Sequence, residues 1–247
     1  MSGQATFWEH LDELRGVIIR SLMVVIAASV VAFCLKDWLF TIVLAPRSSD
    51  FVSYRLLGIG DDFELSLMNI GLTEQFMTHM RVALYAGLLL ASPYVLYQLF
   101  SFIAPGLYRN ERQAATWIAV SAYLMFIIGT LVNYLLIFPL TVRFLGSYQV
   151  SPDVANMLTL QSYIDTLIGM SFVMGVVFEL PVVSAILGKL GVINGKLMSE
   201  YRRHAVVAIL IASAIITPTT DAFTLLIVAI PIWLLYEGSI LIVKLYK

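Results

Sequence analysis

Long apolar runs dominate this chain, and the tightest constraint on its folding is the place where one of them stops. That place is Phe100-Ser101-Phe102-Ile103-Ala104-Pro105-Gly106-Leu107-Tyr108-Arg109-Asn110-Glu111-Arg112. Pro105 has no N–H to donate and Gly106 tolerates a reversed backbone, so the pair predicts the end of a helix. A second apolar run starts directly afterwards, which makes the stretch a hairpin tip at a membrane surface. Arg109 and Arg112 assign that surface to the cytoplasmic side.

The residues are 60% hydrophobic and only 13% charged, outside the range of soluble domains. An integral membrane protein is predicted, as a single transmembrane domain over residues 1–247. The net charge of −1 argues against a nucleic-acid partner, which would need a basic surface. Cys34 is the single cysteine, so no intramolecular disulfide can form, and it reads as a small core hydrophobe.

An all-α polytopic protein with six transmembrane helices follows from the spacing of the runs, at about 16–35, 76–104, 114–138, 163–187, 205–217 and 222–241. The first is too long for a signal-peptide core and is read as a retained span. Pro93 is the expected place for a kink in the second, and Pro139 the expected end of the third. The last two runs, separated by Pro218 and Asp221, are short, and thinned bilayer is expected beside them.

With both termini cytoplasmic, ten Lys and Arg fall inside (Arg15, Arg20, Arg109, Arg112, Lys189, Lys196, Arg202, Arg203, Lys244, Lys247). Five fall outside (Lys36, Arg47, Arg55, Arg81, Arg143), in longer segments, which fixes the predicted orientation. There is no Walker A sequence, no H-E-x-x-H, and no nucleophile with a base at the depth an intramembrane protease needs. Neither catalysis nor a cofactor is indicated.

Several carboxylates lie where a membrane protein has no evident need of them. Glu179 is well inside the fourth span, where an ionised side chain is costly by about 2.5 kcal/mol or more. It must therefore face protein, water or a partner, and a hydrogen bond inside the bundle would satisfy it equally. Glu13 heads the first span and Glu111 sits on the hairpin tip. If those spans pack together the two form a membrane-level acidic patch suited to a guanidinium pair, which a carboxylate accepts in a bidentate fork. On the residues alone, Glu111 pairing with Arg109 or Arg112 fits as well. A six-span small-molecule or ion permease using Glu179 as a coupling carboxylate is the alternative of a different class, opposed by the absence of repeats and of a second mid-membrane ionisable group.

The chain carries, in order, His10-Leu11-x-Glu13-Leu14-Arg15, Ala45-Pro46, Ser92-Pro93-x-x-Leu96-Tyr97-Gln98, Phe102-Ile103-Ala104-Pro105-x-Leu107-Tyr108, Glu111-Arg112, Phe138-Pro139-Leu140, Phe178-Glu179-x-Pro181 and Thr217-Pro218. This ordered set resembles the TatC subunit family of the twin-arginine protein translocase. The resemblance covers nearly the whole chain and rests on order and spacing together.

The resemblance implies a concave bundle in the bacterial cytoplasmic (inner) membrane that binds the twin-arginine signal peptides of folded export substrates. It also implies a homo-oligomeric complex in membrane lipid with the single-span TatA and TatB subunits, driven by the proton-motive force. Carried over by position, Glu13 and Glu111 receive the arginine pair, with Arg15, Phe102, Leu107 and Tyr108 beside them. Glu179, Asp221 and Pro46 match positions tied to the intramembrane path or to partner contact. The chain departs from the family pattern at Leu225, where a polar glutamine is common, at Gln75 for a proline, and at Gln113 for a base.

Overall fold

The computed structural model describes residues 7–59, 65–107, 112–148, 151, 157–217 and 221–245, and for 7–10, 103–107 and 112–115 the backbone alone. Its contacts gather into two compact units, Met1–Leu39 with His79–Leu124, and Phe40–Thr78 with Met125–Lys247.

In the first unit, α1 (Phe7–Cys34) lies against α4 (Glu74–Leu107). Gly87 makes the approach close: a Cβ there would fall 2.5 Å from the backbone N of Ser29 and 2.1 Å from its Oγ. Only a residue without a side chain lets two spans come this near, the usual device where no hydrophobic effect drives helices together. Nearer the α1 end, the His79 ring stacks on Phe33 at 4.0 Å and its Nε2 lies 3.1 Å from Phe33 O. Cys34 is exposed, in contrast to the core position expected of it. Only 11% of the most apolar window of α1 is buried, so most of this helix faces outward and the last turn has no core to enter.

The second unit begins with α2 (Lys36–Leu44, whose first residues belong to the other unit), a 3₁₀ turn (Ala45–Arg47) and α3 (Val52–Leu57). Further on come β1 (Leu67–Met68), the rest of α5 (Arg112–Val132), a π-helical turn (Asn133–Ile137) and α6 (Phe138–Ser147). The chain ends with β2 (Leu158–Thr159), α7 (Leu160–Val177), α8 (Leu180–Lys189), α9 (Gly195–Glu200), α10 (Arg202–Ile216) and α11 (Ala222–Leu245). The core packs Ile137, Met170, Met174, Phe178, Ile209, Val228, Ala229 and Ile232 together. Gly129 lies under Met174 O and Phe178, and Gly175 under the Phe126 ring, so α5 and α7 cross on a reciprocal pair of glycines.

Neither Pro139 nor Pro105 ends its helix where the sequence predicts. Pro139 does not end its span: the helix passes through the π turn into α6 and reaches Ser147. Pro139 cannot donate to Leu135 O, four residues back, and the Ser53 hydroxyl from α3 donates to that carbonyl instead. At Pro93 the carbonyl left without its partner is Leu89 O, and Ser92 Oγ donates to it at 2.7 Å. Pro105 and Gly106 likewise lie inside α4, which runs to Leu107.

Five helical segments are long and apolar enough to cross a membrane among the described residues: Leu11–Cys34, Glu74–Phe102, Thr116–Ser147, Leu160–Lys189 and Ala222–Leu245. The predicted short fifth run is α10, 15 residues, or about 22 Å of helix. The predicted short sixth run is corrected to a helix of 24 residues. Glu237, inside it, accepts from Arg202 Nη2 at 2.7 Å. A two-stranded parallel pair, Leu67 opposite Leu158 and Met68 opposite Thr159, is a small addition to the all-α expectation.

The segments that connect the spans are tied down by buried polar groups. Tyr54 is fully buried; its hydroxyl donates toward Pro46 O at 2.8 Å and Pro139 O at 3.0 Å. Burial pushes the Tyr54 phenol above its ordinary range, with Arg143 over the ring pulling the other way. Tyr134 and Tyr163 donate to Ile42 O and Val43 O. Glu74 Oε2 accepts the N–H groups of Ile70 and Gly71, and Oε1 that of Gln161, so one carboxylate clasps the segments next to β1 and β2.

Candidate functional site

The expected acidic patch belongs to the first unit. Glu13 and Arg15 are exposed on the early turns of α1, and Phe102 is half-buried on α4. Leu107 closes α4 in a stretch described by its backbone; Tyr108 and Glu111 lie outside the described residues.

The pairing of α1 with α4 nevertheless sets their levels. Phe33 faces His79 and Ser29 faces Leu84 and Gly87, so the helices run antiparallel. Stepping back along α1 at 1.5 Å per residue, Glu13 comes level with about residues 99–103 of α4, and so with Phe102. By the same count the start of α1 at Phe7 is level with the end of α4 at Leu107. The described ends of both helices are therefore at one height.

In the second unit the notable group is Glu179. It sits between α7 and α8, where Pro181 withdraws the donor that Val177 O would have used; Glu179 N turns to Val176 O at 3.1 Å, tightening the helix. Both carboxylate oxygens are buried and neither has a hydrogen-bond partner among the described residues. The bundle hydrogen bond that would have satisfied it is absent there.

Sequence reading missed the polar groups that share the core of this unit. Asn133, fully buried in the π turn, donates from Nδ2 to Ser171 Oγ at 2.8 Å, and its Oδ1 accepts nothing among the described residues. Thr130 on α5, Ser213 on α10, Thr217 after it and Thr224 on α11 likewise have buried hydroxyls without a partner there. Single Ser and Thr residues in apolar runs carry no signal of their own, since such residues commonly bond back within their helix. Asn133 four residues after Gly129 was the readable one.

The remaining expected residues have structural explanations. Asp221 caps α11, accepting Thr224 N–H at 2.7 Å. Pro46 is buried in the 3₁₀ turn and presents its carbonyl to Tyr54. Leu225, where the motif often carries glutamine, is half-buried on α11.

Comparison with known proteins places this arrangement. The family model TatC, Sec-independent protein translocase protein, matches residues 9–231. The Sec-independent protein translocase protein TatC of Carboxydothermus hydrogenoformans is 34% identical over 98% of this chain and 94% of its own length. That of Deinococcus radiodurans is 32% identical over 98% of this chain and 87% of its own. Among solved structures, a crystal structure of a twin-arginine translocase receptor, TatC, matches with a TM-score of 0.79 at 33% identity, over 96% of this chain and 99% of that one.

Proposed function

The chain belongs to the TatC family of Sec-independent protein translocase proteins, and from that premise we propose that it is the signal-peptide receptor of a twin-arginine translocase. Glu13 and Glu111 take the arginine pair at the cytoplasmic surface. Phe102, Leu107 and Tyr108 give the adjoining apolar wall, and Arg15 the neighbouring charge. The observation that carries this reading is the common level of Glu13 and Phe102, set by the antiparallel packing of α1 and α4. A carboxylate placed there stands level with the described end of α4, from which the chain leads on to position 111.

Beyond the patch, the apolar core of the signal peptide passes toward Glu179, whose carboxylate, without a partner among the described residues, suits a polar group brought by another chain. The occupants of this second region are single-span TatA and TatB subunits, gathered around a homo-oligomeric receptor and working on the proton-motive force. α10 crosses as a short sixth span, both termini lie on the cytoplasmic side of a bacterial inner membrane, and the chain recruits and positions cargo without a catalytic step.

The test is binding of a synthetic signal peptide to the protein in nanodiscs, comparing an Arg-Arg pair with Lys-Lys. The native chain should prefer Arg-Arg, and a Glu13→Ala, Glu111→Ala double variant should lose that preference. Binding indifferent to both changes would remove this account of recognition.

A further inference from the structure

The corner where α8, α9, α10 and α11 meet carries charge that the receptor role leaves unused. Between Lys189 and Arg203, and on α11 from Glu237 to Lys244, five bases stand against two acids, Glu200 and Glu237. Glu237 is already taken by Arg202. Lys196, Arg203 and Lys244 are exposed, and none of the three is in an ion pair among the described residues.

The backbone brings two of them together. Gly195, the first residue of α9, is buried beneath Lys244: a Cβ on it would lie 2.4 Å from Lys244 Cγ and 3.4 Å from Lys244 N. The Lys244 stem therefore crosses the α9 backbone at the residue preceding Lys196. Two cations anchored on backbones this close repel each other in isolation, and an anion shared by them converts that repulsion into attraction.

The same corner exposes apolar side chains that a water-facing loop would hide. Leu190, Val192, Leu197 and Tyr201 are 47%, 64%, 42% and 53% exposed. The membrane-crossing segments Leu160–Lys189 and Ala222–Leu245 end at this corner, so its residues stand at the hydrocarbon boundary. Unpaired cations interleaved with exposed apolar groups at that height match a bilayer surface bearing negative headgroups.

We propose that this corner is a binding site for an anionic phospholipid, with Lys196 and Lys244 holding the phosphate, Arg203 adding charge from the first turn of α10, and Leu190, Val192 and Leu197 lying among the acyl chains. The site is independent of signal-peptide recognition. It anchors the end of the bundle that carries the short α10, next to the Arg202–Glu237 pair.

Native mass spectrometry of the full delipidated chain, titrated with phosphatidylglycerol or phosphatidylcholine, tests it. The native protein should retain phosphatidylglycerol preferentially, and added KCl should weaken that retention. A Lys196→Gln, Lys244→Gln variant should lose roughly tenfold or more in phosphatidylglycerol affinity, as removal of two cations from an anionic surface requires. Lys196→Arg, Lys244→Arg should restore it, and Arg55→Gln, a charge removed from an exposed position of α3, should change nothing. Competition by inorganic phosphate at the level of phosphatidylglycerol itself would show a phosphate site in place of a lipid site. Equal retention of the two lipids, an unchanged preference in the glutamine variant, or an equal loss in Arg55→Gln would each overturn the assignment.

Discussion

Replacing Glu179 by leucine should make this protein more stable and less active at once. Both Glu179 oxygens are buried and lack a hydrogen-bond partner among the described residues. A buried polar group left unsatisfied costs about 1–3 kcal/mol. Leucine is similar in size and removes that cost; the Pro181 break in the backbone is unchanged. Taking about 2 kcal/mol as the gain, and ~2–4 °C per kcal/mol for a chain of this length, the unfolding midpoint should rise by roughly 4–8 °C. The measurement is thermal unfolding of the purified protein in detergent, run beside export of a twin-arginine reporter in cells producing the variant at native level. Binding of an Arg-Arg peptide should survive, because Glu179 is distant in sequence from the Glu13 and Glu111 positions, while export fails. A midpoint that falls would mean that Glu179 is held by contacts the structure does not place there, and the reasoning would be wrong.

Other substitutions test how the backbone is satisfied. Ser53→Ala strands Leu135 O beside Pro139 and should cost about 1–3 kcal/mol, whereas in a Pro139→Ala background, where an N–H returns at position 139, most of that cost should vanish; equal costs in a double-mutant cycle of unfolding would refute the pairing. Glu74→Gln keeps one acceptor oxygen but loses the charge that strengthens three N–H bonds, so hydrogen exchange at Ile70, Gly71 and Gln161 should accelerate together; acceleration confined to one segment would deny the clasp. Gly87→Val should force α1 from α4, since even a Cβ collides with the Ser29 backbone, and a disulfide engineered between positions 33 and 79 should then form more slowly than in the native background.

Apolar runs and charge bias disclosed the class and the approximate spans, because each run must cover a fixed hydrocarbon thickness whatever its neighbours do. The errors gathered at prolines and at charges, where local chemistry has a remedy the sequence does not place. Pro139 reads as a stop until Ser53, more than eighty positions earlier, is seen to serve the carbonyl it abandons. The sixth run, read as ending near 241, continues past Lys244 to Leu245, with Glu237 inside it paired to Arg202. Glu179 was legible because an acid in an apolar run is conspicuous; Ser213 and Thr224 were not, since a hydroxyl in such a run is ordinary. The β1–β2 pair was invisible, two residues being too few to show alternation.

The treatment of polar groups elsewhere gives the partnerless ones their meaning. Elsewhere this chain satisfies its awkward groups repeatedly: Tyr54 reaches two carbonyls, one Glu74 carboxylate collects three N–H groups, and Ser92 and Ser53 replace donors that prolines lack. The energetic pressure to do so is stronger still in hydrocarbon, where water cannot substitute. Yet Glu179, Asn133 Oδ1, Thr130, Ser213, Thr217 and Thr224 are left without partners among the described residues, within a unit whose apolar core is closely packed. Incomplete packing does not explain that selectivity, since the glycines at 129 and 175 bring α5 and α7 as near as backbones permit. Groups held ready for a polar side chain from another subunit, or for the passing signal peptide, would show this pattern. On that proposal the groups around Tyr54 and Glu74 are satisfied within the chain, whereas Thr130, Asn133, Glu179, Ser213, Thr217 and Thr224 would find their partners on assembly.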